Sequence, residues 1–315
     1  MHKIDRVLVA GHNGMVGSAI VRLLRKRGFE NLILCSHREL DLRDSPAVKE
    51  LFEARKPEIV ILAAARVGGI HANLNYPAEF LYDNLAIQNN VIHQSFLNGV
   101  KKFGFLGTSC IYPRECPQPM KEQYLLTGPL EPTNEGYALA KIAGLKMVEY
   151  YRRQHGFNGI SAMPCNLYGT NDSFDPMHSH VLAALIRKFV DAVDNGTNNV
   201  TMWGTGSAKR EFMHVDDAAE AILFLMDNYN EPKFINIGWG VDISIRDLAE
   251  LIAKMTGYKG SINWDTSKPD GMPRKCLDVS RLNALGYTPK ISLEDGIKKT
   301  IEEYRTIVSS RKIIH

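Results

Sequence analysis

The stretch VLVAGHNGMVGSAI, residues 7–20, sets Gly11, Gly14 and Gly17 three residues apart between an apolar run and a helical pattern. In such a junction one glycine permits a sharp turn, one lets the backbone approach a pyrophosphate, and one lets the helix pack close to the sheet. The helix that opens there offers unpaired N–H groups and the positive end of its dipole to phosphates. The triplet therefore predicts a dinucleotide site on a first strand, with an ordinary strand-to-helix turn as the alternative. The chain beyond it keeps the same rhythm. Apolar runs at residues 6–10, 32–35, 58–65, 102–106 and 160–164 alternate with helical patterns closed by Gly28 and at 46–55, 79–97 and 134–155. Such alternation predicts βαβ units and an α/β fold, a Rossmann-like doubly wound parallel sheet.

Beyond Asn166 the texture changes. Gly, Asn, Asp and His crowd residues 169–180, a loop is expected at 194–199, and the elements that follow are shorter. We expect residues 1–167 to form the dinucleotide-binding domain, with a return segment near 214–240, and 168–315 a smaller α/β substrate domain. Asp216 and Asp217 are expected to cap the helix after them rather than to do chemistry. At 44% hydrophobic and 23% charged residues, the chain can fill a sizeable core. Its formal charge of +3 is small and its basic residues are dispersed, which argues against nucleic acid as a partner. No apolar run is long enough to span a bilayer, and the N-terminus runs straight into a strand without the shape of a signal peptide. The five cysteines (35, 110, 116, 165 and 276) form no CxxC pair and no zinc spacing, so no metal is expected. Reduced thiols in a cytoplasm fit them best.

Three clusters carry chemistry. After the second strand come Ser36, His37 and Arg38 where an acidic residue would favour a free ribose hydroxyl. A basic residue there favours a 2′-phosphate, which leans towards NADP, and Asp41 is better placed for the adenine. In PTNEGYALAKIAG, Tyr137 and Lys141 lie four apart on one face of a helix that starts near Pro132–Asn134. An ammonium near a phenol favours the phenolate and lets it exchange a proton near neutral pH. Finally, GTSCIYP, residues 107–113, places Thr108, Ser109 and Cys110 in one turn at a strand end.

Glycine loop, hydroxyl turn and YxxxK in this order resemble the extended short-chain dehydrogenase/reductase superfamily. More narrowly, AGHNGMVGSAI, LAAARVGGI, GTSCIYP, LEPTNEGYALAKIAG, NLYG, SHVLAALIRKF, REFMHVDD and SKPDGMPRKCLDVSRL are similar to the GDP-L-fucose synthase family over essentially the whole chain. That family epimerises C3 and C5 of GDP-4-keto-6-deoxy-D-mannose and then reduces C4. The resemblance implies that Thr108, with Ser109 as neighbour or substitute, holds the sugar's C4 oxygen. It makes Tyr137 the proton donor, Lys141 the residue that lowers its pKa and holds the nicotinamide ribose, and Cys110 and His180 the base and acid of epimerisation. Cysteine and histidine bracket that task by their ordinary pKa values, about 8.5 and 6.5. From the residues alone His178 competes with His180, and a lone cysteine is more often a small buried hydrophobe.

The implied cofactor is NADP(H). Its expected contacts are Gly11, His12, Asn13, Gly14, Met15, Val16 and Gly17, then His37, Arg38, Asp41 and Leu42, then Ala63 and Ala64. Leu106, Gly107, Lys141, Pro164, Cys165, Asn166, Leu167 and His180 complete them. For the GDP diphosphate, Lys188, Arg210 and Lys275 are implied, with Trp203 and Asp270 in the pocket and Arg187 able to exchange roles with Lys188. The family's loop usually reads GHRG, and Asn13 replaces its arginine, which leaves Arg38 as the expected 2′-phosphate contact. The implied assembly is a homodimer through the helices at 79–97 and 134–155. Two other readings stand beside this one: reduction of a different GDP-4-keto-sugar such as a 6-deoxy-heptose, and a non-enzymatic cofactor-sensing Rossmann protein.

Overall fold

The computed structural model describes residues 1–175, 179–268 and 270–313. Its first half alternates β1 (Val7–Ala10), α1 (Met15–Lys26), β2 (Leu32–Ile33), α2 (Ser45–Arg55), β3 (Ile59–Leu62), α3 (Ile70–Asn75), α4 (Pro77–Leu97), β4 (Lys102–Leu106), α5 (Glu135–His155) and β5 (Gly159–Pro164). The second half holds β6 (Asn166–Tyr168), α6 (Val181–Asp194), β7 (Asn199–Trp203), β8 (Lys209–His214), α7 (Val215–Asn228) and β9 (Ile235–Ile237). It closes with β10 (Asp242–Ser244), α8 (Ile245–Thr256), β11 (Ser261–Asp265), β12 (Arg274–Lys275), α9 (Ser280–Ala284) and α10 (Leu293–Ile313).

Six strands form one parallel sheet in the order β2-β1-β3-β4-β5-β9. The expected doubly wound α/β fold is therefore present. Strands β1, β3 and β5 are buried along their whole length, because helices cover both faces of a parallel sheet. The chain leaves β1 for β2 on one side and returns to β3 on the other. The switch opens a crevice at the strands' carboxyl ends, where such sheets bind ligands. Local signals set the ends of the helices. Asp44 accepts from the Ala47 N–H to start α2, Pro77 opens α4, and Gly156 in the left-handed region closes α5. Helices α4 and α5 pack closely: the Gln88 amide donates to the Ala140 carbonyl at 2.6 Å, and a Cβ at Gly144 would meet Gln88 and Phe105 at 2.6 Å.

Residues 215–237 cross back to this sheet, with α7 against α1 and β9 beside β5. A second apolar core gathers Leu182, Phe189, Met202, Leu248, Ile252, Ile297 and Ile301 from α6, β7, α8 and α10. Strand β8 is the hinge piece between the two cores, pairing in parallel with β6 and β12 and antiparallel with β10. The aspartates expected as caps have other partners. His214 caps α7 by accepting from the Asp216 N–H, Asp216 pairs with Arg22 at 2.8 Å, and Asp217 accepts from the Lys290 and Ile291 N–H groups at 3.0 and 2.7 Å. A histidine ring nitrogen fills the cap position, so the carboxylates are free to pair with distant segments. Among the described residues no helix is long and apolar enough to cross a membrane.

Candidate active site

Apart from Lys141 and His180, the residues expected at the cofactor sit at or just beyond the carboxyl ends of β1 to β5. Gly11 has φ +88°, and a Cβ there would lie 2.6 Å from the Ala64 backbone nitrogen. A Cβ at Gly17 would lie 2.1 Å from the Gly11 carbonyl oxygen, so helix and loop touch backbone to backbone. Gly14, by contrast, would meet only the Gly11 oxygen at 3.4 Å, which leaves its outer face open. No side chain caps α1 and no acidic residue stands in its first turn. Open backbone, unpaired N–H groups and the positive dipole end make this loop fit a pyrophosphate. The His12 Nδ1 is buried without a partner among the described residues, and the Asn171 amide, reaching in from beyond β6, donates to the Asn13 carbonyl at 2.8 Å.

The end of β2 is less simple than its sequence. Arg38 and His37 are exposed, as a 2′-phosphate contact requires. However, one Glu39 carboxylate oxygen accepts both the N–H and the O–H of Ser36 at 2.7 Å. Asp41 is clamped by Arg43 at 2.7 Å, and Arg43 holds its carboxyl down to about 2. Arg43 also reaches Asp83, which Arg66 meets from the other side at 2.7 Å.

The hydroxyl turn leaves the end of β4. The Thr108 Oγ1 accepts the Cys110 N–H at 3.3 Å and starts a single 3₁₀ turn, Ser109–Ile111. Ser109 is buried while Thr108 and Cys110 are half-buried, so Thr108 carries the more open hydroxyl. Below the turn Ile111 and Tyr112 are buried, and the Tyr112 hydroxyl donates to the Asn236 Oδ1 on β9 at 2.6 Å. On α5, the Lys141 Nζ donates to the Leu106 carbonyl at 2.8 Å and lies 5.9 Å from the centre of the Tyr137 ring. Burial pushes Lys141 down to about 8. Burial, and then the charge of Cys110, push the Tyr137 phenol above its usual range. This differs from the expectation that Lys141 lowers Tyr137. The ammonium is engaged by the Leu106 carbonyl, and the charge that acts on the phenol is that of Cys110.

Cys110 meets an unexpected neighbour. The Lys275 Nζ lies 3.2 Å from its Sγ. Burial favours the neutral thiol most strongly, but Lys275, Thr108 and Asn134 together outweigh it and bring the group below its usual value. His180, at the start of α6, is held below its usual value by burial and then by the same Lys275. The charge of Lys275 thus acts on both Cys110 and His180; His178, the alternative histidine, lies outside the described residues. Lys275, expected on the diphosphate, has its ammonium 3.2 Å from the thiol sulfur.

Arg210 pairs in register with Lys275 across β8 and β12. Burial lowers its pKa, while Asp270, Cys110 and Glu131 pull it up. Asp270 accepts from the Thr205 N–H and O–H at 2.7 Å each. Trp203 is exposed, with the Lys268 Nζ 5.8 Å from its ring centre. The Lys188 Nζ donates to the Thr201 carbonyl at 2.9 Å. Arg187, the alternative cation, is bound to the Phe174 carbonyl and Asp191. Sequence reasoning missed Glu39, Asn171, Asn236 and the Lys275–Cys110 contact. Only Glu39, three residues after Ser36, carries a local spacing that could have found it; the others meet partners far along the chain.

A doubly wound sheet with a glycine cradle and a Tyr–Lys helix defines a class of enzyme, and the chain belongs to it: the NAD dependent epimerase/dehydratase family matches residues 7–238. Among curated proteins it is similar to GDP-L-fucose synthase 1 of Arabidopsis thaliana, at 55% identity over 309 residues covering 98% of this chain and 96% of that protein. Among solved structures it resembles a GDP-6-OMe-4-keto-L-xylo-heptose reductase from C. jejuni, with a TM-score of 0.93, 39% identity, and 98% of this chain and 99% of that one covered. A GDP-L-fucose synthetase from Naegleria fowleri bound to NADP superposes with a TM-score of 0.90 at 29% identity, covering 98% and 96%.

Proposed function

We propose that this protein converts GDP-4-keto-6-deoxy-D-mannose to GDP-L-fucose, by epimerisation at C3 and C5 followed by NADPH-dependent reduction at C4. The observation that carries the reading is Cys110, held against the Lys275 ammonium, with its charge acting on Tyr137 and that of Lys275 on His180. Reduction alone has no use for that sulfur. The C4 ketone acidifies the hydrogens on C3 and C5. The Cys110 sulfur removes one as a proton, leaving an enolate on C4, and His180 returns a proton from the opposite face. NADP(H) supplies the hydride for C4. Thr108 holds the C4 oxygen and Tyr137 protonates it as charge develops there. Lys141, fixed by the Leu106 carbonyl, orients the ribose side of the cofactor. The high pKa of Tyr137 suits an acid that keeps its proton until an alkoxide forms.

Arg210 and Lys188 meet the diphosphate. Exposed Tyr82, Leu139 and Tyr150 on α4 and α5 support a homodimer through those helices, and five unpaired cysteines suit the cytoplasm. The second reading, C4 reduction of another GDP-4-keto-sugar, is favoured by the likeness to the heptose reductase. Incubation with GDP-4-keto-6-deoxy-D-mannose and NADPH in D₂O separates the two. Deuterium at C3 and C5 with NADPH consumption is expected. Reduction with no label at either carbon would overturn the leading reading.

A further inference from the structure

The contact between Lys275 and Cys110 joins residues 165 positions apart. It is also built on rigid backbone from both sides. On the cysteine side, the Thr108 cap and buried Ile111 fix the turn, and the Tyr112 hydroxyl ties it to Asn236. On the lysine side, β12 is paired to β8, and the residues after it are pinned by several bonds. The Cys276 N–H donates to the Gln118 side-chain oxygen at 3.0 Å, and the Leu277 N–H donates to the buried Glu211 carboxylate at 2.8 Å. The same Asn236 that holds Tyr112 also donates to the Asp278 carbonyl at 3.0 Å. One buried amide on β9 thus joins both partner segments. A long lysine side chain on a mobile loop would sample many positions, whereas this one is delivered to the sulfur by fixed strands.

We propose that Lys275 is a positioning residue for Cys110: its ammonium holds the sulfur as a thiolate, aimed at the sugar, and sets the pH range in which protons leave C3 and C5. This deepens the epimerase reading and rests on it. The sulfur gains the carbon-bound proton, becomes a thiol, and the electron pair moves to the C4 oxygen; the N–H to sulfur contact weakens as the charge leaves. Other groups also face the sulfur. Arg210 on β8 adds positive charge, with Glu131 and Asp270 beside it as acids; Tyr137 on α5 is neutral, and Asn134 and Thr108 are neutral donors. Burial and then Lys275 hold His180 below its usual value. Among the cations of the described residues Lys275 makes the direct contact, at 3.2 Å, within the range where an opposite charge moves a pKa by about 1–3 units.

The test is the pH dependence of iodoacetamide alkylation at Cys110 in the intact protein, followed by mass spectrometry of the peptide that carries it. Lys275→Gln and Lys275→Arg are compared with the wild type after a thermal melt and an NADPH titration on each. In Lys275→Gln the alkylation midpoint should rise by at least about one unit and the rate at pH 7 fall about tenfold. Lys275→Arg, which keeps the charge, should recover most of both. Deuterium wash-in at C3 and C5 should shift along the same pH axis while NADPH affinity stays constant. An unchanged alkylation profile in Lys275→Gln overturns the proposal, as does a shift that Lys275→Arg fails to reverse. If Lys275→Gln does not fold, Lys275→Met and Lys275→Ala take its place, and a wild-type alkylation midpoint in either would be fatal. Because alkylation needs no sugar, loss of the epimerase reading is seen separately, as deuterium exchange that survives Cys110→Ser.

Discussion

Replacing Gly17 by alanine tests the glycine cradle most directly. The added Cβ would lie 2.1 Å from the Gly11 carbonyl oxygen, 2.7 Å from its carbon and 2.9 Å from the His12 Cα. All three are backbone atoms, and ordinary contact begins at 3.4 Å, so no side chain can rotate away. The start of α1 must part from the loop by about 1 Å in a close-packed interior. Overpacking of that kind costs about 1–3 kcal/mol, which lowers the melting temperature by several degrees. Because the same loop fits the pyrophosphate, a shift on this scale should weaken NADPH binding by at least about tenfold. Calorimetric titration with NADPH and a thermal melt measure both. Gly14→Ala is the contrast: with only the Gly11 oxygen at 3.4 Å, its fold should melt near the wild-type temperature while the methyl intrudes on the open ligand face and binding still falls. A Gly17→Ala protein with wild-type affinity and an unchanged melt would refute the reasoning.

Two further outcomes concern the frame around the site. Glu211 is fully buried, with its oxygens accepting the Gly240 and Leu277 N–H groups at 2.6 and 2.8 Å, and burial raises its carboxyl to about 7. A carboxyl raised in the folded state contributes its stability below its unfolded value, about 4.3, and loses it as pH climbs to about 7. Relative to Glu211→Gln, the wild type should therefore lose about 3 kcal/mol between pH 4.3 and 7 in urea unfolding, then run parallel; a flat difference would refute the raised carboxyl. Asp217→Ala leaves the Lys290 and Ile291 N–H groups without acceptors and should cost about 1–3 kcal/mol. It should also speed amide exchange at those two residues while epimerisation and reduction proceed; unchanged exchange there would show that the clamp is idle.

What the sequence determined by itself is local and periodic. The apolar runs became five parallel strands in the expected places, because a strand buried on both faces must be apolar throughout. The glycine triplet and YxxxK were legible for a similar reason: a turn or a helix face is specified by residues three or four apart. Even here the limits show, since only Leu32–Ile33 of the run at 32–35 pairs as strand. What only the tertiary structure decided are meetings between distant segments. Asn171 reaches the glycine loop, and Asp217 holds Lys290 and Ile291 instead of its own helix. Lys275, which the resemblance places on the diphosphate, rests its ammonium on Cys110. A two-residue strand paired to Arg210 carries it there. No spacing in the chain encodes that contact. It exists because β8, β9 and β12 are packed together and bury Glu211 and Asn236 among them, and such packing is a property of the folded whole.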